Sequence, residues 1–586
     1  MDIGHWIESD ENHYIFSMLL TLLLLHALAS PPAAWTDGGR CDGECCFDRA
    51  VGPHMVLQRD SSSTRVWGTA VNGTAIRIQL AGPGGAREPA IATAADATGK
   101  WWLDLPAHPG SVVDEYSLTL TCGGGGGGGG GGGRGQPGGS VTATGILFGD
   151  VFGCHGQSNM AFGLGQDFNS STECATAHLH PHLRVFAHSA HQDWALPSNA
   201  SVCEGSFCSP FSAVCWYFGR NMAAKLGGKV PVGLVGSMVG GTPVESWSGP
   251  DALAQCDQTQ VTDRVGSYWS TFIETLLPMQ MSGWLWYQGE NNVGGVAAGV
   301  RSGCCSIGCP NTTGQNACQH PCEASGQRCA DYYACQYPAM VNDWRRKWNG
   351  GSNLSSIAGR PAGPRPMIAV ELAPYMDGAS DFGFPNVAML REAQRKADAA
   401  LAASALTPAT DWGDIADPFG NIHPEWKSPV GARLADAMHA LAYGGTAAPH
   451  RSPTATVATA VPTTAAGFDV VVRFDAAVTM TPPVVGGEIG VPGIVPSAAT
   501  GGCQIAADSR FEPQQMGQCM WFDVDGRNIT SGIKVDAGGL SITVPLGAAA
   551  PPKQIKYGWG SWPVAMLWGV DGGLPASAFF LNVAAP

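Results

Sequence analysis

The sequence predicts a mixed α/β protein, with a parallel sheet covered by helices over residues 141–445 and β-rich segments on either side. Three observations point there. Apolar strand-like runs alternate with helical periodicity through the middle of the chain. Short alternating or β-branched runs fill residues 41–122 and 450–586. A charged fraction of 13% against 44% hydrophobic residues supplies enough apolar side chains for large cores over 586 residues.

The elements follow in order. "RVWGTA", "IRIQL", "WWLDL" and "YSLTLTC" predict an N-terminal β domain over 41–122. Eleven consecutive glycines, Gly123–Gly133, then "RGQPGG", cannot pack a core and make 123–140 a flexible loop or linker. "GILFGDVFGC", "VPVGLVGSMVGG", "MSGWLWYQG" and "PMIAVELA" are buried-strand candidates, and "SAVCWYFGRNMAAKLGG" carries helical spacing with a Gly-Gly stop. "SPVGARLADAMHALAYGG" predicts a late helix with Ser428 as N-cap, Pro429 at the first position and Gly444 past its end. Seven cysteines from Cys304 to Cys335 interrupt this pattern. Their spacing lacks a paired C-x-x-C arrangement, so 300–335 reads as a disulfide-stapled insertion in preference to a zinc knuckle. "FDVVVRF", "CMWFDV", "GLSITVPL" and "FFLNV" predict a C-terminal β domain over 450–586.

A formal net charge of −15 without a basic stripe argues against a nucleic-acid partner. "IFSMLLTLLLLHALAS", residues 15–30, has the length of a signal-peptide apolar region, with Ala27-Leu28-Ala29 as a small-x-small cleavage site and a mature chain after residue 29. The preceding Asp2, Glu8, Asp10 and Glu11 are the wrong charge for a signal, which keeps an uncleaved membrane anchor as the alternative. Six N-x-S/T sequons (at Asn72, Asn169, Asn199, Asn311, Asn353 and Asn528) and 19 cysteines fit an oxidising compartment. The expected location is therefore secreted, or a lysosomal or vacuolar lumen. Oligomeric state is not legible in the chain.

The stretch "DVFGCHGQSNM" carries the chemistry. Ser158 follows an apolar strand by four residues, at the carboxyl edge where open α/β sheets build their sites. It is either a helix cap or a nucleophile whose developing oxyanion would meet helix-start amides. A serine needs a base. His423 is the best candidate, in a Gly/Pro-rich loop before the late helix, with Asp417 six and Asp414 nine residues earlier to orient its ring. Two strand ends offer oxyanion donors: Gly240-Gly241, followed by a Thr242–Glu245 capping box, and Gln288 with Gly289 and Glu290.

Taken in order, "GPHMVLQRD", "GDVFGCHGQSNM", "VPVGLVGSMVGGTPVESWS", "WLWYQGENN", "YYACQYPAMVNDWRRKW", "DIADPFGNIHPEWKSPVGARLA" and "IKYGWGSWPVAMLWGVDGGLPASAF" resemble the sialate O-acetylesterase family of SGNH-type hydrolases. The resemblance implies a three-layer SGNH-hydrolase-like core, Ser158 as nucleophile and His423 as general base. It also implies an oxyanion hole from the amides of Ser158 and Gly240 or Gly241 with the Gln288 side chain, and supporting roles for Asn159 and Glu290. The implied partner is an acetylated sugar or glycan, with no metal and no organic cofactor; a membrane enters only if the N-terminal segment stays uncleaved. SGNH enzymes commonly place Asp three residues before the histidine, where this chain has Gly420. The acid is therefore Asp417 or absent, with a Ser–His dyad in its place. Two alternatives stand beside sialate deacetylation: an acetylesterase for another polysaccharide such as xylan, and an inactive carbohydrate-binding glycoprotein.

Overall fold

The computed structural model describes residues 41–586 apart from 43–44, 63, 124–139, 206–209, 257–264, 294–326, 352–356, 376–384, 414–416, 446–450, 465–466, 530, 562, 564–566, 572 and all but four short strands of 481–521. The N-terminal apolar segment, Asp414 and most of the cysteine-rich stretch therefore lie outside the described residues.

Two hydrophobic cores organise the chain. One takes in the N-terminal strands and the α/β region together, from Cys45 to Ala442. The other belongs to residues 455–583. The first core is continuous because one strand serves both regions. Strand β1, Ser140–Gly156, pairs antiparallel with Tyr116–Gly123 along its first half and parallel with Val56–Gln58 at Leu147–Gly149. Its second half enters the central sheet. The glycine run thus connects two strands that pair with each other, with Thr121 opposite Ser140.

After β1 come a single helical turn α1 (Ser158–Ala161), β2 (Leu183–Ala187), α2 (Ala213–Lys225), β3 (Val232–Met238) and β4 (Gly283–Tyr287). Then follow α3 (Gln327–Lys347), β5 (Met367–Glu371), α4 (Pro385–Ala399), β6 (Ser404–Pro408) and α5 (Ser428–Tyr443). The strands form one parallel array in the order β2-β3-β1-β4-β5-β6, edged by the antiparallel pair Trp194–Ala195 on β2. Nearly every residue of these strands is buried, as a parallel sheet covered on both faces requires.

Alternation along β1 assigns its two faces. Phe152 meets Phe218 of α2 edge-on at 5.1 Å, and Cys154 is bonded to Cys215 of the same helix. His155 points the other way, edge-on to Trp344 of α3 at 5.3 Å. Trp284, Trp286, Trp344 and Trp348 are all fully buried on that side. Each covers about 150–250 Å², worth about 4–6 kcal/mol of transfer free energy before ordering costs.

The sequence misplaces some boundaries. Helix α3 starts at Gln327, inside the expected cysteine-rich insertion, and holds Cys329 and Cys335; Cys335 is bonded to Cys256. Helix α5 is capped at Lys427, one residue earlier than read, and Gly444 closes it with φ 69°. The Thr242–Glu245 capping box does not form. The Thr242 hydroxyl donates to the Val239 carbonyl and accepts from the Trp247 indole instead, while the short turn Val244–Trp247 starts from Pro243 without a side-chain cap. Strands β2 and β6 and helix α4 were not anticipated.

The second core is an eight-stranded sheet, antiparallel throughout except where Ala455–Pro462 runs parallel to Phe579–Ala584. Arg391 of α4 ties it to the α/β region. The buried guanidinium donates to the carbonyls of Leu372 and Ala373 and to those of Gly560 and Ser561, at 2.8–3.1 Å.

Candidate active site

Strand β1 delivers Ser158 to the carboxyl edge of the sheet through a turn that only glycine permits. Gly156 has φ 144°, and a Cβ there would lie 2.1 Å from the Tyr287 carbonyl oxygen on β4. The following amide, Gln157 N–H, donates to that same carbonyl at 3.0 Å. Ser158 is then the first residue of α1, where the helical ladder provides no acceptor for its N–H. Its hydroxyl has no hydrogen-bond partner among the described residues, and its residue is 7% exposed. A Ser158–His423 bond is therefore not formed in this state. Catalytic bonds of this kind commonly tighten only with substrate bound.

What brings the serine and the histidine loop together is Asn159. Its Nδ2 donates to the carbonyl of Ile422, the residue before His423, at 2.8 Å, and to Glu290 Oε1 at 2.5 Å. Its Oδ1 accepts from the Lys427 ammonium at 2.7 Å. An amide suits this position because it presents donors to the carboxylate side and an acceptor to the ammonium side. Lys427 is almost completely buried, with its Nζ 4.7 Å from the centre of the Phe162 ring and 5.7 Å from that of Tyr287. Its backbone N–H donates to Asp167 Oδ2 at 3.1 Å, and Tyr217 donates to Asp167 Oδ1 at 2.6 Å. Burial raises Asp167 to about 6 and raises Glu290 as well. Asn159 and Glu290 are thus bonded to each other beside Ser158, and Lys427 and Asp167, which the sequence did not single out, join them.

His423 Nδ1 lies 3.1 Å from the carbonyl oxygen of Phe419, which makes Nδ1 the donor and Nε2 the unprotonated nitrogen of the neutral ring. Burial lowers its pKa to about 4; the Phe419 carbonyl opposes this and the Lys427 charge adds to it. The ring is therefore neutral near pH 7. Asp417, expected to orient the ring, bonds its own loop through both oxygens: Oδ1 accepts from Phe419 N–H at 2.8 Å and Oδ2 from Glu425 N–H at 2.6 Å. Gly420, at the position where an acid was sought, has φ 84° and closes a turn, its N–H on the Asp417 carbonyl and its own carbonyl accepting from His423 N–H. A side chain with a Cβ is disfavoured there.

Of the expected oxyanion donors, Gly240 lies beside Ser158 and Gly241 follows it on the open side of the turn. Both are exposed, and a Cβ on Gly240 would fall 3.5 Å from that of Ser158. Gln288 is the third expected donor. Its side chain is fully buried, and its NH₂ donates inward to the Thr242 carbonyl at 3.0 Å and Asn292 Oδ1 at 2.7 Å, with Gln157 Oε1 at 3.2 Å. With two hydrogens and three internal acceptors, it braces the two strand ends. Asn292 also donates to Glu245, whose carboxyl burial raises to about 7.

The two residues before Gly156, Cys154 and His155, are each held by the structure. Cys154 is half of the disulfide to α2. His155 is buried among tryptophans and held at a pKa of about 3 by that burial.

Residues 149–297, which carry Ser158, Gly240, Gln288 and Glu290, match the family described as "Carbohydrate esterase, sialic acid-specific acetylesterase". The chain is a carboxylic ester hydrolase. It resembles the sialate O-acetylesterase of Mus musculus, 26% identical over 454 residues that span 68% of this chain and 73% of that one. The human sialate O-acetylesterase is likewise 26% identical over 451 residues, 72% of this chain and 75% of that one. In fold, the chain is similar to a carbohydrate acetylesterase from Xanthomonas citri, with a TM-score of 0.62 and 24% identity over 92% of this chain and 99% of that one.

Proposed function

We propose that this chain is a serine esterase of the SGNH type that removes O-acetyl groups from sugars, sialic acids among them. Ser158 is the nucleophile and His423 its base. The observation that carries the reading is the Asn159 bridge, which joins the residue after Ser158 to the residue before His423. Ser158 Oγ attacks the acetyl carbonyl while His423 Nε2 takes its proton. The oxyanion forms against the N–H groups of Ser158 and Gly240, the latter without a protein acceptor among the described residues. Collapse breaks the ester bond, and His423 returns the proton to the departing sugar oxygen. Water then gives its proton to His423 and its oxygen to the acetyl carbon, releasing acetate and regenerating Ser158. Five disulfides among the described residues fit an oxidising secretory compartment for this work.

The neutral His423 sets a pH profile. A base must be unprotonated, so kcat/KM should hold down through pH 6 and fall with a midpoint near 4. Stability moves the same way. His423 and His155 have folded pKa values below the unfolded 6.5, so the unfolded chain binds more protons between those values. Their contribution is present above pH 6.5 and is lost as pH falls toward 4 and 3. A rate profile on a small acetyl ester, taken where the fold is intact, checks the base; an acid limb centred at 6.5 would contradict it.

Asp417 works through the loop in this reading. Asp417→Asn keeps an acceptor for one of the two backbone N–H groups and should reduce kcat by about tenfold or less, against about 10⁴-fold for His423→Ala. Equal losses in the two variants would make Asp417 the third member of a triad. The same test on Asp414→Asn addresses the other acid.

A further inference from the structure

Ser158 and Gly240 follow different strands, β1 and β3, so a catalytic spacing between them needs a third element that grips both. The short turn Glu290–Asn292 after β4 is that element. On the serine side, Gln157, the residue before Ser158, presents Oε1 to the Asn291 N–H at 3.3 Å and to the Gln288 NH₂ at 3.2 Å. Asn159, the residue after Ser158, donates to Glu290 Oε1. On the glycine side, the Gly241 carbonyl accepts from Asn291 Nδ2 at 3.0 Å and the Thr242 carbonyl from Gln288 at 3.0 Å. The Val244 N–H donates to Asn292 Oδ1 at 2.9 Å. Residues 288–292 therefore hold the neighbours of Ser158 and the residues that follow Gly240.

Asn292 is the centre of this grip. Its Oδ1 accepts from both the Val244 N–H and the Gln288 NH₂, and its Nδ2 donates to Glu245 Oε2 at 3.1 Å. The orientation of the amide follows from its partners. A backbone N–H only donates, so the oxygen faces Val244, and the NH₂ then meets the carboxyl of the next residue, Glu245. Asn292 and Glu245 are 1% and 2% exposed, and Gln288 is fully buried, so no water competes for these bonds. Burial raises Glu245 to about 7, so below that pH the carboxyl anchors Asn292 without placing a charge in the interior.

We propose that Asn292, oriented by Glu245, is a positioning residue that sets the Gly240 amide against Ser158 and so holds the oxyanion hole in register. This rests on the assignment of Ser158 as nucleophile and of the Ser158 and Gly240 amides as the hole. Asn292 touches neither substrate nor the reacting atoms. It acts through Gln288 and Val244 on the Gly240–Val244 turn, and its effect falls on the transition state, where the negative oxygen forms.

The test compares wild type with Asn292→Ala at pH 6, per active site, with sites counted by labelling to completion with a fluorophosphonate. Two quantities are read: kcat/KM on p-nitrophenyl acetate and the inhibition constant of phenylboronic acid. In the boronate adduct Ser158 Oγ adds to boron, its proton passes to His423, and a boron hydroxyl takes the place of the oxyanion. In Asn292→Ala, kcat/KM should fall by about 30-fold and the inhibition constant should rise by a similar factor, as displaced oxyanion donors require. A residue that only supports the fold would lower the number of labelled sites and leave both per-site values as they are. A kcat/KM within about threefold of wild type, or a loss that the boronate does not share, would overturn the inference. Asn292→Ala also strands the buried Val244 N–H, so Glu245→Ala and Glu245→Gln are measured beside it and replace it where it yields no folded protein. Glu245→Ala removes the acceptor that orients Asn292 and should move both quantities by about fivefold; Glu245→Gln keeps an acceptor oxygen, imitates the neutral acid and should restore both. Wild-type values in Glu245→Ala would overturn the part given to Glu245, and with it the inference where Asn292→Ala does not fold. Wild type that shows no Ser158-dependent turnover and no boronate inhibition would strike the esterase reading itself, a failure seen without any of these variants.

Discussion

Ser158→Ala should lower acetate release by about 10⁴-fold or more, and His423→Ala by a similar factor, because the two groups act as one unit. The fold should be untouched in the serine variant. The Ser158 hydroxyl has no hydrogen-bond partner among the described residues, so its removal leaves no buried polar atom stranded. Asn159, and not Ser158, holds the turn to the histidine loop, Glu290 and Lys427. An unchanged thermal midpoint beside lost turnover is the expected pair of results. Turnover within tenfold of wild type would move the nucleophile elsewhere.

The second large effect is on the fold. Gly156→Ala places a Cβ 2.1 Å from the Tyr287 carbonyl oxygen at a residue with φ 144°. Neither the strand nor its partner is free to move, since both lie in the middle of the parallel sheet. Separating them would also break the Gln157 N–H bond to the same carbonyl. A backbone clash with positive φ in a buried strand belongs among the most damaging single changes, and a loss of about 4 kcal/mol or more is expected. Denaturant unfolding of the variant measures it, and failure to obtain folded protein counts as the same result. A loss under about 1 kcal/mol would mean that the turn carrying Ser158 is not built as described.

The sequence discloses the frame of the site because that frame obeys local rules. A buried strand, a glycine turn and a serine at the start of a helix follow one another within "GDVFGCHGQSNM", and each rule acts on neighbours in sequence. The late helix is legible for the same reason, to within one residue at Lys427. What escaped depends on contacts between distant segments. Nothing in the sequence marks Lys427 as buried; only the meeting of its loop with Asn159, Phe162 and Tyr287 explains its burial. Gln288 offered an amide donor, and nothing in the sequence showed that Thr242 and Asn292 would take both hydrogens. Asp417 stood at a plausible distance from His423 in sequence, and nothing in the sequence shows that backbone N–H groups of its own loop would bond both carboxylate oxygens or that a carbonyl would lie on Nδ1. The continuity of β1 was hidden behind the glycine run, since sequence cannot show that the strands on both sides of a loop pair with each other.

The histidine ring links the chemistry to the environment. Burial makes its charged form costly, so the ring is neutral at neutral pH. The Phe419 carbonyl lies on Nδ1 and holds the ring in place.

The central claim is a covalent one: the acetyl group passes through Ser158. Wild-type enzyme mixed with excess p-nitrophenyl acetate and quenched in acid within the first turnovers should carry one acetyl group on the peptide containing Ser158, read by mass spectrometry. The label should be absent from Ser158→Ala. An enzyme that turns over the ester at full rate while Ser158 stays unmodified, or that carries the acetyl group on another side chain, would contradict the account.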